Sequence, residues 1–242
     1  MQLFYEPHFD AHAQLILVNP VESRHISKVL RKNIGDKVFI TNGSGLLAEG
    51  IIKSNHPKKC EIGVLNIEEK MASKQQLHIA IAPTKANDRF EWFLEKATEI
   101  GIQEITPLLC EHSERRIIKL ERYEKVLQAA MKQSLSSFLP KLNDLISFSD
   151  FITSEPARPG SEGGFDSTKF IAHCEDEPKE NLSKLLGERN LILIGPEGDF
   201  SKSEIDLALS YDFKAVSLSD SRLRTETAGI VACHTANLMQ SL

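Results

Sequence analysis

The tightest constraint on this chain is a run of four apolar residues, Leu191-Ile192-Leu193-Ile194, that stops at Gly195-Pro196-Glu197-Gly198 and passes at once into a helix start. A short apolar run bounded by turn residues fits a buried strand, and strands of this kind belong to sheets covered by helices. Ser201 and Glu204 stand at the spacing of a capping box, and Phe200 and Ile205 occupy the hydrophobic-staple positions around it. The glycine-rich turn is therefore held between a buried strand and a capped helix. Ligands of open parallel sheets bind beyond the carboxyl ends of the strands, which makes this turn a candidate site. On these residues alone, an ordinary strand-to-helix turn is equally open.

The surrounding pattern agrees with such a sheet. Leu77 to Ala82 is a strand ended by Pro83. Asn87 can cap a helix through Trp92, Phe93, Ala97 and Ile100 that stops at Gly101, and Leu120 to Ser137 is a second helix. Further strands are expected over Phe170–His173 and Ala215–Leu218. Strands alternating with helices predict an α/β domain with a mostly parallel sheet over residues 74–242. Ser154 to Thr168, rich in Ser, Pro and Gly, reads as a mobile loop.

Residues 1–70 have a different rhythm. Lys37–Thr41 and Leu46–Lys53 flank Asn42-Gly43-Ser44-Gly45, a hairpin signal, and Lys59–Ile67 adds a strand with Cys60, Ile62, Val64 and Asn66 on one face. Glu22 to Asn33 reads as a helix with Ile26, Val29 and Leu30 on one side, ended by Gly35-Asp36. A small β-barrel with one helix fits this segment, and the polar stretch Glu68–Gln76 separates it from the α/β domain. Arg24, Lys28 and Arg31, spaced by four and three, would share one helix face as a basic patch.

Several function classes are excluded. With 29 basic against 34 acidic residues the net charge is −5, which disfavours nucleic-acid binding through bulk charge and leaves local patches to do it. Cys60, Cys110, Cys174 and Cys233 are scattered, so neither a zinc site nor a disulfide scaffold is expected, and a reducing cytoplasm fits. No apolar run is long enough to span a membrane, and Met1 to Pro7 lacks a basic region followed by an apolar one, so no secretory signal is expected. Gly43-Ser44-Gly45-Leu46-Leu47-Ala48 matches a dinucleotide fingerprint in letters only, because strand and turn come after it where a helix is needed. No phosphate-binding P-loop occurs, so neither ATP nor nicotinamide chemistry is supported.

The second informative segment, Leu218-Ser219-Asp220-Ser221-Arg222-Leu223-Arg224-Thr225-Glu226-Thr227-Ala228, again comes directly after an apolar strand. It enters a helix with Ala228, Ala232 and Ala236 on one stripe beside Gly229 and Cys233, a face for close packing within the subunit or across a dimer. These two segments together resemble the RsmE-type 16S ribosomal RNA uridine N3-methyltransferases of the SPOUT class. The likeness extends through Arg24-His25, Val29-Leu30-Arg31 and Gly35-Asp36 near the N-terminus. It continues through Lys85, Asp88-Arg89, Lys96 to Ile102, Pro107, Ser113 and Arg115 in the middle. Asp199 and Ser219 stand where that family often has glycine, and Ser136 lies near a position where it is usually basic.

The resemblance implies a PUA-like RNA-binding barrel followed by a SPOUT-type trefoil-knot domain that holds S-adenosylmethionine, with no metal. It places the cofactor at Ile194, Gly195, Pro196, Glu197, Gly198, Leu218, Leu223 and Thr225. RNA binding falls to Arg24, His25, Lys28, Arg31 and Arg115, and chemistry to Arg224 and Glu226. It implies a homodimer acting on 16S ribosomal RNA in an assembled or assembling small subunit. Methylating N3 requires an unpaired Watson–Crick edge and stabilisation of the developing imide anion, a role for which Arg224 is suited. Glu226 can orient that arginine, take part in proton transfer or merely favour the helix dipole, and His173 is a weaker base candidate. Methylation of another nucleotide or a ribose 2′-hydroxyl, and a non-catalytic RNA-binding role, remain alternatives.

Overall fold

The computed structural model describes residues 1–74, 76–154 and 167–240. It divides into two compact units, Met1–Ala72 with Gln128–Leu139, and Ser73–Leu127 with Pro140–Leu242.

In the first unit, β1 (Leu3–Tyr5), β2 (Leu15–Val18), β3 (Lys37–Thr41), β4 (Leu46–His56) and β5 (Lys59–Glu69) form a half-barrel in the order β1-β3-β4-β5-β2. Gly43 and Gly45 take the positive φ that the β3–β4 turn requires. The expected alternation in β5 breaks partway. Glu49 pairs with Asn66 but Gly50 with Val64, so Leu65 bulges out and Ile67, not Asn66, packs on the barrel core with Val64. The helical segment also differs from the expectation. Asn19 caps α1 (Pro20–Arg24) by accepting from the amides of Val21 and Glu22, and a π-helical turn, His25–Val29, continues it directly. Arg31 then turns left-handed at φ 52°, ending the helix before Gly35 is reached. Ile26 is buried as expected, but Val29 is 66% exposed, because the wider π-turn rotates it off the core face. Arg24, Lys28 and Arg31 are all exposed yet do not share one regular helix face.

Residues 128–139, which their chain position assigned to a second domain over 74–242, pack with the first unit. Gly45 N donates to Ser137 O at 2.9 Å and Leu139 N to Gly43 O at 2.8 Å. The Lys132 ammonium pairs with buried Glu22.

The second unit contains β6 (Gln76–Ile81), α2 (Asn87–Ile100), β7 (Glu104–Leu109), most of α3 (Leu120–Gln133), β8 (Lys141–Leu142), β9 (Ile146–Ser147), α4 (Phe148–Thr153), β10 (Thr168–Ala172), β11 (Glu180–Asn181), β12 (Arg189–Ile194), α5 (Lys202–Ser210), β13 (Lys214–Ser217) and α6 (Thr225–Gln240). All strand pairs are parallel, in the order β11-β13-β10-β12-β6-β7-β8. The apolar run Leu191–Ile194 lies in β12, the middle of this sheet. The chain leaves β10, returns as β12 between β10 and β6, then recrosses to pair as β13 with the other edge of β10. These crossings belong to a SPOUT-type trefoil-knot domain. β7 carries Pro107 within it, and proline there masks an otherwise apolar strand in the sequence.

One face of the sheet buries Ala80, Leu108, Ile171, Leu191 and Leu193 against Phe148, Phe151, Ile205 and Phe213. On the other, α6 packs on β6, β12 and α2. That approach is close: a Cβ on Gly229 would stand 2.6 Å from the Phe93 ring and 2.9 Å from Ile81 Cδ1. Ala232, Cys233 and Ala236 are buried in the same packing, so the small-residue stripe serves the interior of the chain. Asn87 is the first residue of α2, not its cap. Its side chain instead accepts from the Tyr123 hydroxyl at 2.8 Å and pairs with Glu91. Residues 155–166 of the expected mobile loop lie outside the described residues. No helix among the described residues is long and apolar enough to cross a membrane.

A half-buried titrating pair on β6 and β7 gives the second unit an acid sensitivity. His78 Nε2 lies 2.7 Å from Thr106 Oγ1, and burial, with Lys141 assisting and Glu104 opposing, lowers the imidazole to about 4. Burial alone would raise the Glu104 carboxyl, but the Asn143 amide and the charges of His78 and Lys141 hold it below its ordinary value. Both groups bind protons more readily in the unfolded chain. Stability is therefore full above pH 6.5 and declines as the pH falls toward 4 through His78, then further through Glu104. The loss should be on the order of 2 kcal/mol, or several degrees of melting temperature. Calorimetric scans of wild type and His78→Gln from pH 7 to 4 test this; an equally steep decline in both would contradict it.

Candidate active site

Strand register decides where the loops meet. Ile194 pairs with Ile81 on one side and Ala172 on the other, and Ala172 pairs with Val216. Four parallel strands thus end at one level, and the segments after them emerge side by side. Cys174 N donates to Asp199 Oδ2 at 2.7 Å, and Lys85 N to Glu197 Oε1 at 2.9 Å. Arg115 donates from Nε to Thr84 O at 2.9 Å and from its fork to Lys85 O at 2.7 Å. The capping box is complete: Ser201 accepts from Glu204 N, and the Glu204 carboxylate accepts from Ser201 N and also from Glu111 N at 2.8 Å. One capped helix therefore anchors two loops.

Asp199 sits at φ 65°, a left-handed conformation that favours glycine. The departure from the expected glycine has a physical answer here. The aspartate side chain accepts from Cys174 N and from Phe200 N at 2.8 Å, offsetting the strained backbone with two hydrogen bonds. Ser219, the other departure, has no positive φ and accepts from Ser221 N at 3.2 Å, so nothing in its backbone requires glycine.

Between the His173–Lys179 segment, the loop after β13 and the first turn of α6 lies a cavity of about 530 Å³. Ala172, Val216, Leu218, Leu223 and Ala228 give it apolar walls, and Glu175, Asp220 and Arg222 give it charge of both signs. His173 borders it with a fully buried imidazole. Burial, aided by the Lys179 charge and opposed by Glu177, Asp199 and Glu175, lowers its affinity for a proton. Glu177 Oε1 is 3.0 Å from Nε2 but out of line for a hydrogen bond, and neither ring nitrogen has a hydrogen-bond partner among the described residues. An apolar slot with carboxylates, two cations (Lys179 and Arg222) and a buried histidine ring without hydrogen-bond partners among the described residues matches the parts of S-adenosylmethionine: an adenine face, a ribose diol, an ammonium and a carboxylate.

A second cleft of about 730 Å³ adjoins it, lined by Asp88, Arg89, Trp92, Arg222, Leu223, Arg224, Glu226 and Thr227. Arg222 and Leu223 line both spaces. Glu226 is buried on the first turn of α6. Its Oε1 lies 3.9 Å from Arg89 Nε, and its Oε2 has no hydrogen-bond partner among the described residues. Arg224, just before the helix, is exposed.

Of the residues expected at the cofactor, Leu218 and Leu223 line the first cavity. Ile194, Gly195 and Pro196 are buried beneath the neighbouring loops, while Glu197 and Gly198 are exposed and Thr225 is buried at the start of α6. Gly198 packs closely on the chain itself, since a Cβ there would stand 3.1 Å from His112 Cβ. Arg224 and Glu226 share the second cleft. In the first unit, Arg24, Lys28 and Arg31 are exposed. His25 stacks edge-on against Phe4 with Nδ1 3.7 Å from Glu22 Oε2. Residues 174–179 and Arg89 were not singled out as site residues. Their signal was positional, at a strand's carboxyl end and in the first turn of a helix, and only strand order could tell which ends converge.

A crossed parallel sheet with two adjoining cavities at its carboxyl edge defines a SPOUT-class methyltransferase. Comparison with known proteins agrees. The RNA methyltransferase domain model matches residues 71–237, and the RNA methyltransferase PUA domain model matches residues 21–65. The chain is 38% identical to a probable rRNA-methyltransferase of Porphyromonas gingivalis of known structure, covering 100% of this chain and 99% of that one with a TM-score of 0.86. A Legionella pneumophila methyltransferase solved with bound SAM is 25% identical, with 99% and 96% covered and a TM-score of 0.82. The ribosomal RNA small subunit methyltransferase E of Rickettsia conorii is 27% identical over 95% of this chain and 92% of its own. The chain belongs to the RNA methyltransferase family, among its RsmE-type members.

Asp199 offers a direct test of the site's loop architecture. Asp199→Gly relieves the backbone but loses the tie to Cys174, whereas Asp199→Ala loses the tie and keeps the strain, about 1–2 kcal/mol more. The alanine variant should melt several degrees below the glycine variant, and both should bind S-adenosylmethionine more weakly than wild type in calorimetric titration. An alanine variant as stable as the glycine variant would show that the left-handed backbone costs nothing here.

Proposed function

We propose that this protein transfers a methyl group from S-adenosylmethionine to N3 of a uridine in 16S ribosomal RNA, in the cytosol, as a homodimer, within an assembled or assembling small subunit. One observation carries the reading: a cleft that holds a buried carboxylate among arginines shares the Arg222–Leu223 wall with the cofactor cavity. The cofactor belongs in the first cavity, where it supplies an electrophilic methyl on a sulfonium centre.

The rest is work for the chain's own side chains. A uridine must leave its stack to present N3, and a cleft of about 730 Å³ has room for a splayed base. N3 carries a proton and is a poor nucleophile until that proton leaves. The unpartnered Oε2 of Glu226 is suited to accept it. Negative charge then spreads from N3 onto the flanking carbonyl oxygens, where the permanently charged Arg224 guanidinium stabilises it without competing for the proton. Leu223 keeps the boundary between the two spaces apolar and restricts water there. Arg24, His25, Lys28 and Arg31 provide phosphate contacts that position RNA without reading its sequence, and Arg115 is assigned to RNA as well. With Ala232 and Ala236 spent inside the chain, the dimer would use the exposed Leu238 and Met239 of α6.

Arg224→Lys and Arg224→Ala should each lower kcat on unmodified small-subunit RNA, the alanine variant on the order of a hundredfold. Raising the pH should partly rescue Arg224→Ala, because hydroxide then removes more of the N3 proton; near wild-type turnover in that variant would take Arg224 out of the mechanism. The product, mapped by mass spectrometry of rRNA nucleosides, should be 3-methyluridine, and a 2′-O-methyl product would replace this reading. Arg24→Ala with Arg31→Ala should raise KM for RNA, flatten its salt dependence and leave cofactor affinity unchanged. Sedimentation of a 27.1 kDa species at micromolar concentration would rule out the dimer.

A further inference from the structure

The second cleft contains an arginine that neither the cofactor cavity nor the proton step uses. Arg89 stands in the first turn of α2 with its side chain 44% exposed, three residues before Trp92 and so on the same face of the helix. Its Nε lies 3.9 Å from Glu226 Oε1. A structural pairing of arginine with a buried carboxylate frequently closes to a two-pronged fork at hydrogen-bond distance. This one does not, and it leaves Glu226 Oε2 without a hydrogen-bond partner among the described residues.

Uracil presents along its Watson–Crick edge an acceptor, O2, then the N3–H donor, then a second acceptor, O4. A protein reading that edge must offer donor, acceptor, donor. Arg89, Glu226 and Arg224 line one cleft and offer that set: a guanidinium, a carboxylate and a second guanidinium. Cytosine presents acceptor, acceptor, donor. It would set the N3 lone pair against the Glu226 carboxylate and an amino group against an arginine, leaving both protein groups unsatisfied. Trp92, the single tryptophan of the chain and 45% exposed in the same cleft, offers an aromatic face on which an extruded base can stack.

We propose that Arg89 is a specificity-determining residue for uridine. Its guanidinium donates to one of the two carbonyl oxygens beside N3, Arg224 donates to the other, and Glu226 accepts N3–H between them. The inference rests on the uridine-N3 reading above and adds to it the residue that makes the cleft select uracil.

The experiment replaces the target uridine of a small-subunit RNA fragment with 2-thiouridine or 4-thiouridine, since sulfur is a much weaker acceptor than oxygen. Methyl transfer, as kcat/KM, is compared for wild type, Arg89→Ala and Arg89→Lys, with cofactor affinity measured separately by calorimetry. Sulfur also changes N3 acidity, but that effect is common to all three enzymes and cancels when their thio-to-oxo ratios are compared. Arg89→Ala should lose on the order of tenfold to a hundredfold on the uridine RNA and bind the cofactor as wild type does. It should also be indifferent to sulfur at one of the two positions while keeping wild-type sensitivity at the other. Arg89→Lys, which retains charge without the planar fork, should recover part of that lost sensitivity. Wild-type sensitivity at both positions in both variants would overturn the proposal. If wild type left N3 of the uridine RNA itself unmethylated, the parent reading would fall instead.

Discussion

The shared strand level at Ile81, Ala172, Ile194 and Val216 is the constraint on which the active-site region depends. Parallel pairing with even spacing makes β6, β12, β10 and β13 stop together, so their outgoing loops have to share one edge. β12 can lie in the middle because Leu191 to Ile194 is apolar on both faces and each face meets its own layer of helices. A polar residue in that run would have no neighbour to satisfy it. The sheet would then lose its centre, and the loops their common origin.

The helices after these strands turn a shared edge into a site. α5 begins at the Ser201–Glu204 capping box, and the same Glu204 carboxylate holds Glu111 N, so helix capping and loop placement are one interaction. α6 is pressed against α2 and β6 through Gly229, where any side chain would run into Phe93 and Ile81. That close fit leaves Glu226 in the wall of the second cleft, beside Arg89 from α2. Small residues in α6 therefore shape the cleft indirectly: they let two helices approach until a carboxylate from one and a guanidinium from the other share it.

The site is also polarised. The first cavity has apolar walls and a histidine whose burial disfavours the charged form, while the adjoining cleft collects Arg89, Arg222 and Arg224 around Asp88 and the buried Glu226. A cationic sulfonium is better tolerated beside acidic and neutral groups, and an incipient imide anion beside guanidinium groups. Separate spaces meeting at Leu223 let one chain provide both environments within reach of each other.

Local chemistry was legible in the sequence. The apolar run of β12, the capping box with its staple, the Gly43 turn, Gly101 closing α2 and the α/β class all come from residue type and spacing, because each is decided within a few residues of chain. So were Arg224 and Glu226 as neighbours at a helix start. Tertiary structure alone decided the rest. The bulge at Leu65 moves Ile67 onto the core, the π-turn and left-handed Arg31 break the expected basic helix face, and residues 128–139 join the first unit, since each depends on partners distant in sequence. The same holds for strand order, which brings Cys174 to Asp199, and for helix packing, which brings Arg89 to Glu226. Residue spacing fixes which side chains share an element, but Arg89 and Glu226 stand more than half the chain apart, and only the packed sheet and helices close that gap.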